Sequence, residues 1–119
     1  MKKVLVIDDD PVIVALLEKR LQSAGFQIMV ASNGATGMER MCAEPPDLVI
    51  FDVMMPGLDG YSFLSEVRSN EQVRDIPMIV ITGRGELGDL FRTESVAAFF
   101  QKPFNMDDLV GEVRAILGN

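Results

Sequence analysis

Histidine is absent from this 119-residue chain. That absence excludes imidazole general bases, histidine metal ligands and any part as a phosphohistidine donor. Cys42 is the only cysteine, so no intramolecular disulfide or cysteine-based metal centre can form, and a reducing cytoplasm is the simplest home. It reads as a small apolar filler. Basic residues are scarce, 11 against 18 acidic ones for a net charge of −7, a balance that argues against direct contact with nucleic acid and suits cations and basic surfaces. Long apolar runs are missing too. The opening "MKKVLVIDDD" has four apolar residues before three aspartates, too few for a signal peptide or a membrane span. The sequence shows no internal repeat, low-complexity tract or linker.

What is present fits one domain, residues 1–119, long enough to bury roughly two-thirds of its unfolded surface. Hydrophobic residues make up 48% and mean hydropathy is +0.20, as expected of a well-packed core. Five short runs, "KVLVID", "QIMVA", "DLVIFD", "MIVIT" and "AAFFQ", read as strands one to five. Their lack of polar alternation predicts cover on both faces. Between them, Ile13, Leu16, Leu17 and Leu21 fall at helical spacing, with Asp10 as N-cap, Pro11 at the first helical position and a stop near Gly25. Tyr61, Leu64 and Val67 mark another helix, as do Met106, Leu109, Val110, Val113 and Leu117 after Asn105; Gly34 to Glu44 is a weaker one. Strands separated by helices imply an α/β fold: a doubly wound five-stranded parallel sheet with helices on both faces.

In such a sheet a ligand site lies outside the carboxyl ends of the strands. Strand one ends in Asp8 and Asp9, strand three in Asp52, strand four in Thr82, and strand five in Lys102 and Pro103. Any one aspartate after a strand is ordinarily a cap or turn former. Together, three carboxylates, a hydroxyl and an ammonium on one rim define a site. Crowded acids resist full ionisation unless a cation joins them, and an all-oxygen donor set suits Mg²⁺. Lys102 can neutralise a phosphoryl group, and the Thr82 hydroxyl can donate to it.

These residues resemble the receiver domains of bacterial response regulators, the CheY-like family. "VLVIDDDP", "PDLVIFDVMMPGLDG", "IPMIVITG" and "FFQKPF" stand in the family's order and carry the resemblance along almost the whole chain. It implies a flavodoxin-like strand order 2-1-3-4-5. It implies Asp52 as phosphoacceptor, Asp9 and Asp52 as direct Mg²⁺ ligands helped by the Met54 carbonyl, and Asp8 acting through water. Thr82 and Lys102 would bind the phosphoryl group, with Thr82 and Phe99 as the switch pair. A sensor histidine kinase or histidine phosphotransfer protein would be the donor, and a downstream protein target would read the helix after strand four, strand five and the C-terminal helix. Such a chain is not a conventional enzyme: it catalyses its own phosphorylation and dephosphorylation. By the same resemblance Met54 and Arg84 tune access of the hydrolytic water, and the Lys102–Pro103 bond is cis.

Other residues read more plainly. Asp59 is a solvated turn residue, and Pro56, Gly57 and Gly60 shape the loop. The methionines are core residues. "GRGELG", Gly83 to Gly88, matches a dinucleotide fingerprint, but that fingerprint asks for an acid about 20 residues on, where Lys102 stands. A small-molecule phosphohydrolase would ask for a second acid where Met54 lies and a cap domain. A phosphorylation-independent adaptor of the same fold remains the alternative, and its mark would be loss of an acid, the Thr or the Lys. The sequence departs from the family in a short Thr82–Lys102 segment, in three clustered glycines and in Ser95, which direct attention to Gly83–Ser95 as a weakly held switch element relying on Leu87, Leu90 and Phe91.

Overall fold

The computed structural model of the chain describes residues 1–55, 59–83 and 96–118. The strands are β1 (Lys3–Ile7), β2 (Gln27–Ala31), β3 (Leu48–Asp52), β4 (Met78–Thr82) and β5 (Ala98–Gln101). They form one parallel sheet in the order β2-β1-β3-β4-β5. Helices α1 (Pro11–Ser23), α2 (Gly34–Ala43), α3 (Gly60–Ser69) and a C-terminal helix (Met106–Leu117) complete the described elements. β3 and β4 are buried at every residue, which explains their unbroken apolar runs.

Two cores flank the sheet. On one face Leu17 and Leu21 of α1 and Leu109, Val110 and Val113 of the C-terminal helix pack on Val4, Val6, Ile50 and Ile79. On the other, Met41 of α2 and Phe63, Leu64 and Val67 of α3 pack on Leu5, Ile7, Phe51 and Val80. α2 approaches β1 so closely that a Cβ at Gly37 would lie 2.5 Å from Ile7 Cδ1. Local chemistry sets the helix starts. Asp10 accepts from the Val12 N–H with Pro11 following, Asn33 accepts from Thr36 and Asn105 from Asp108, each side chain satisfying an otherwise orphaned donor. α1 ends at Ser23, and Gly25, at φ +97°, turns the chain into β2 through a conformation costly for any residue with a Cβ.

Leu16 is 47% exposed and Tyr61 46%; the inward stripes run instead through Leu17 and Leu21 on α1 and through Phe63, Leu64 and Val67 on α3. Three apolar positions within one turn span more than the sheet-facing arc of a helix, so the outermost is left on the rim. Asp59 is exposed as expected, but it also caps α3, accepting from the Tyr61 and Ser62 N–H groups and the Ser62 hydroxyl. Pro56, Gly57, Arg84 and Ser95, the "GRGELG" stretch beyond Gly83, and Leu87, Leu90 and Phe91 lie outside the described residues.

Candidate functional site

β1 connects outward to β2 and the chain then returns to β3 on the other side of β1, so the connections diverge above the β1–β3 pair and leave a crevice at its carboxyl end. The two strands run in register, Ile7 beside Phe51. The next residues, Asp8 and Asp52, therefore enter the same crevice. Asp8 is 2% exposed and Asp52 4%, whereas Asp9 is exposed. One carboxylate oxygen from each of the three lies within 4.8 Å of the others.

Lys102 reaches this cluster from the end of β5. Its Nζ lies 3.0 Å from Asp52 Oδ2 and 3.4 Å from Asp8 Oδ2, a single ammonium spanning two buried acids. Its backbone N–H donates to the Thr82 carbonyl at 2.7 Å, and the Lys102–Pro103 peptide is cis. Thr82 itself is fully buried at the end of β4. Backbone donors hold the other carboxylate oxygens: the Met54 N–H lies 2.8 Å from Asp52 Oδ1 and the Asp10 N–H 2.9 Å from Asp8 Oδ1. The turn after each strand thus supplies the donor that orients the strand's terminal acid.

Among the described residues, the electrostatics follow from one cation, Lys102, among three anions. Burial, reinforced by the charge on Asp52, pushes the Asp8 carboxyl above the ordinary aspartate value; the Asp10 N–H and Lys102 offset this only in part. Burial alone would make Lys102 easier to deprotonate, but its contacts with Asp52 and Asp8 outweigh that and raise it above the usual lysine value. Such a cluster is under-neutralised. Its donor set, oxygen only and reachable from solvent beside exposed Asp9, fits a hard divalent cation.

Each rim residue singled out in the sequence is therefore near the crevice, with two differences of degree. Thr82 is enclosed at the strand end, and Met54 meets Asp52 through its N–H while the residue is 41% exposed. Phe99 lies on β5 beside Val80 and packs half-buried against the α2–α3 core. Sequence reasoning missed the three backbone contacts and a groove of about 430 Å³ beside Lys102, lined by Ile13, Leu16, Pro103, Phe104 and Met106. The surplus apolar position on α1 was its available signal.

A parallel sheet of order β2-β1-β3-β4-β5 with an acidic, lysine-bridged crevice at its switch point defines a doubly wound α/β domain. Within that class the chain belongs to the response regulator receiver domain family, whose model matches residues 4–114. It is 33% identical over 119 residues to the DNA-binding dual master transcriptional regulator RpaA of a Synechocystis strain, covering 98% of this chain and 49% of that protein. It thus spans about half the length of the curated relatives it matches. Among solved structures it is similar to a putative response regulator from Chloroflexus aurantiacus, with TM-score 0.90 and 28% identity over 99% of this chain and 98% of that one. It is also similar to the response regulator protein TrrA from Thermotoga maritima, at TM-score 0.82 and 32% identity over 98% and 99% of the two chains. The chain is a two-component receiver domain with a CheY-like fold. No helix among the described residues is long and apolar enough to cross a membrane.

Proposed function

We propose that residues 1–119 act as one phosphorylation-controlled unit in which Asp52 accepts a phosphoryl group from a phosphohistidine. One observation carries this reading: Asp52 is buried at a strand end with the Lys102 ammonium at 3.0 Å and two further carboxylates within ligand distance. An apolar strand end tolerates such a charge only where compensation is built in. In the transfer, an Asp52 carboxylate oxygen forms a bond to phosphorus as the phosphorus–nitrogen bond to the donor imidazole breaks, its electron pair leaving on nitrogen. The Met54 N–H holds the carboxylate in place. Lys102 meets the incoming phosphoryl oxygens, and the Thr82 hydroxyl donates to one of them. Hydrolysis by water then restores the carboxylate.

Asp9, Asp52 and the Met54 carbonyl, with Asp8 through water, would hold Mg²⁺, in line with the clustered carboxylates and with the TrrA structure, solved in complex with Mg(2+)-BeF. When bound, the ion supplies positive charge to the phosphoryl oxygens. The donor is a protein, a histidine kinase or phosphotransfer protein, for which Val12, 64% exposed, Leu16 and the groove beside Lys102 offer an apolar landing. Thr82 and Phe99 would relay occupancy of the site to the β4–β5 side of the sheet, and so to a protein target. The setting is cytoplasmic.

Intact mass after incubation with Mg²⁺ and acetyl phosphate tests the reading. One added phosphoryl group, dependent on the metal and lost in Asp52→Asn, is expected. Its absence would leave the phosphorylation-independent adaptor as the better account.

A further inference from the structure

The eight methionines divide by exposure. Met41, Met55 and Met78 are buried, Met29, Met38 and Met106 are half-buried, and Met1 and Met54 alone are exposed, at 90% and 41%. Met1 begins the chain. Met54 lies two residues beyond Asp52, with its N–H on that carboxylate. A thioether is a weak acceptor and no donor, so the polar chemistry of the crevice has no use for the sulfur, and burial does not protect it. Cys42, the other sulfur that oxidants could seek, is half-buried against the α2–α3 core and accepts from Asn70 Nδ2 at 3.6 Å.

We propose that Met54 is an oxidation site: a peroxide-class oxidant converts its thioether to the sulfoxide, and the sulfoxide shortens the life of a phosphoryl group on Asp52. The chemistry balances. A sulfur lone pair attacks one oxygen of hydrogen peroxide, the O–O bond breaks, and the departing hydroxide takes the proton from the transferred oxygen and leaves as water. Sulfur is oxidised by two electrons and the peroxide reduced by two. The product replaces an apolar thioether with a polar S–O group on the residue whose N–H holds Asp52, and that oxygen, accepting a hydrogen bond from water, would turn the water's lone pair toward phosphorus. The lifetime effect rests on the proposed phosphorylation of Asp52; the oxidation itself does not.

The test uses the full chain and limiting hydrogen peroxide. Peptide mapping by mass should show Met54 gaining one oxygen at a rate near that of Met1 and at least about fivefold faster than Met41 or Met78, since exposure governs this reaction. Reduced and oxidised protein are then phosphorylated with acetyl phosphate and Mg²⁺, and loss of the adduct is followed by intact mass. The oxidised form should decay at least about threefold faster, a small fraction of what a fully positioned base supplies. Met54→Leu sets its own baseline, which peroxide should not move. Oxidation of Met54 no faster than of Met41, or equal decay of the two forms, would overturn the proposal. If neither form takes up a phosphoryl group, the phosphoacceptor reading falls and the lifetime effect with it, while the mapping still decides whether Met54 is the oxidised residue.

Discussion

The middles of β1 and β3 and the carboxyl ends of the same strands are almost equally buried, yet they are stabilised by different means. Ile7 and Phe51 are fully buried, and the residues that follow, Asp8 and Asp52, are 2% and 4% exposed. Along the strand middles, burial and packing reinforce each other, as where the Phe51 and Phe63 rings meet at a tilt of 36° with centroids 4.9 Å apart. At the ends, burial opposes the charge, and the chain compensates with the Lys102 ammonium and two turn N–H groups. The middle is held by packing alone, while the end is held by charge compensation among Asp8, Asp52 and Lys102. Substitutions in the two regions should therefore separate stability from function.

The sharpest test of that contrast is Asp52→Asn. It should abolish the phosphoryl adduct seen by intact mass, because the amide keeps the size but lacks the anionic nucleophile. The fold should survive, since Lys102 still faces Asp8 at 3.4 Å; a collapsed melting transition would mean that the strand end is structural after all. Phe51→Ala, one residue earlier, should do the reverse. Loss of the buried ring costs about 3–5 kcal/mol in denaturant unfolding, while whatever remains folded keeps its Mg²⁺-dependent phosphorylation.

Smaller effects sharpen the comparison at the rim itself. Asp9→Ala should weaken Mg²⁺ binding at least about tenfold, roughly 1.4 kcal/mol, and reduce the rise in melting temperature that a native-state ligand brings. Asp10→Ala should leave the metal titration nearly unchanged and instead cost about 1 kcal/mol through loss of the α1 cap. Equal losses in the two titrations would erase the division between ligand and cap.

The smallest effect is a slope. Because the folded Asp8 carboxyl is raised, first by burial and then by Asp52, it binds its proton more tightly in the folded chain than in the unfolded one. In metal-free protein this contribution is present below the ordinary aspartate range and is lost as pH rises through the raised value. Asp8→Asn should flatten that fall in a series of melts between acid and neutral pH. Lys102 is also raised, so its own contribution persists at neutral pH and disappears only in the alkaline range.

Much of this arrangement is legible in the chain. Unbroken apolar runs of four or five residues have one stable setting in a small α/β protein, between two helical layers, and all five strands lie where those runs are. The caps at Asp10 and Asn105 are local, since each depends on a hydrogen bond within three residues; Asn33 caps α2 in the same way but was not singled out in the sequence. The rim residues were legible because parallel strands end on one side. Less legible were the faces of helices: Leu16 and Tyr61 have the right spacing for a core and face outward nonetheless, because periodicity gives the direction of an apolar arc but not where the neighbouring layer stops.

By itself, then, the sequence determined the α/β class, the strands and their common carboxyl end, the absence of any histidine or cysteine centre, and the set of groups available for chemistry. These depend on composition, period and short-range hydrogen bonding, which act before the chain is compact. Only the tertiary structure decided that one ammonium spans Asp8 and Asp52, that Asp9 stands open while its neighbour is enclosed, and that Met54 alone among the methionines beyond Met1 is exposed. Those facts join residues as many as 94 positions apart. The register of β1 against β3 and the approach of β5 beyond β4 bring them together, and such distances are fixed by packing the whole sheet between its helices, which no local stretch of sequence contains.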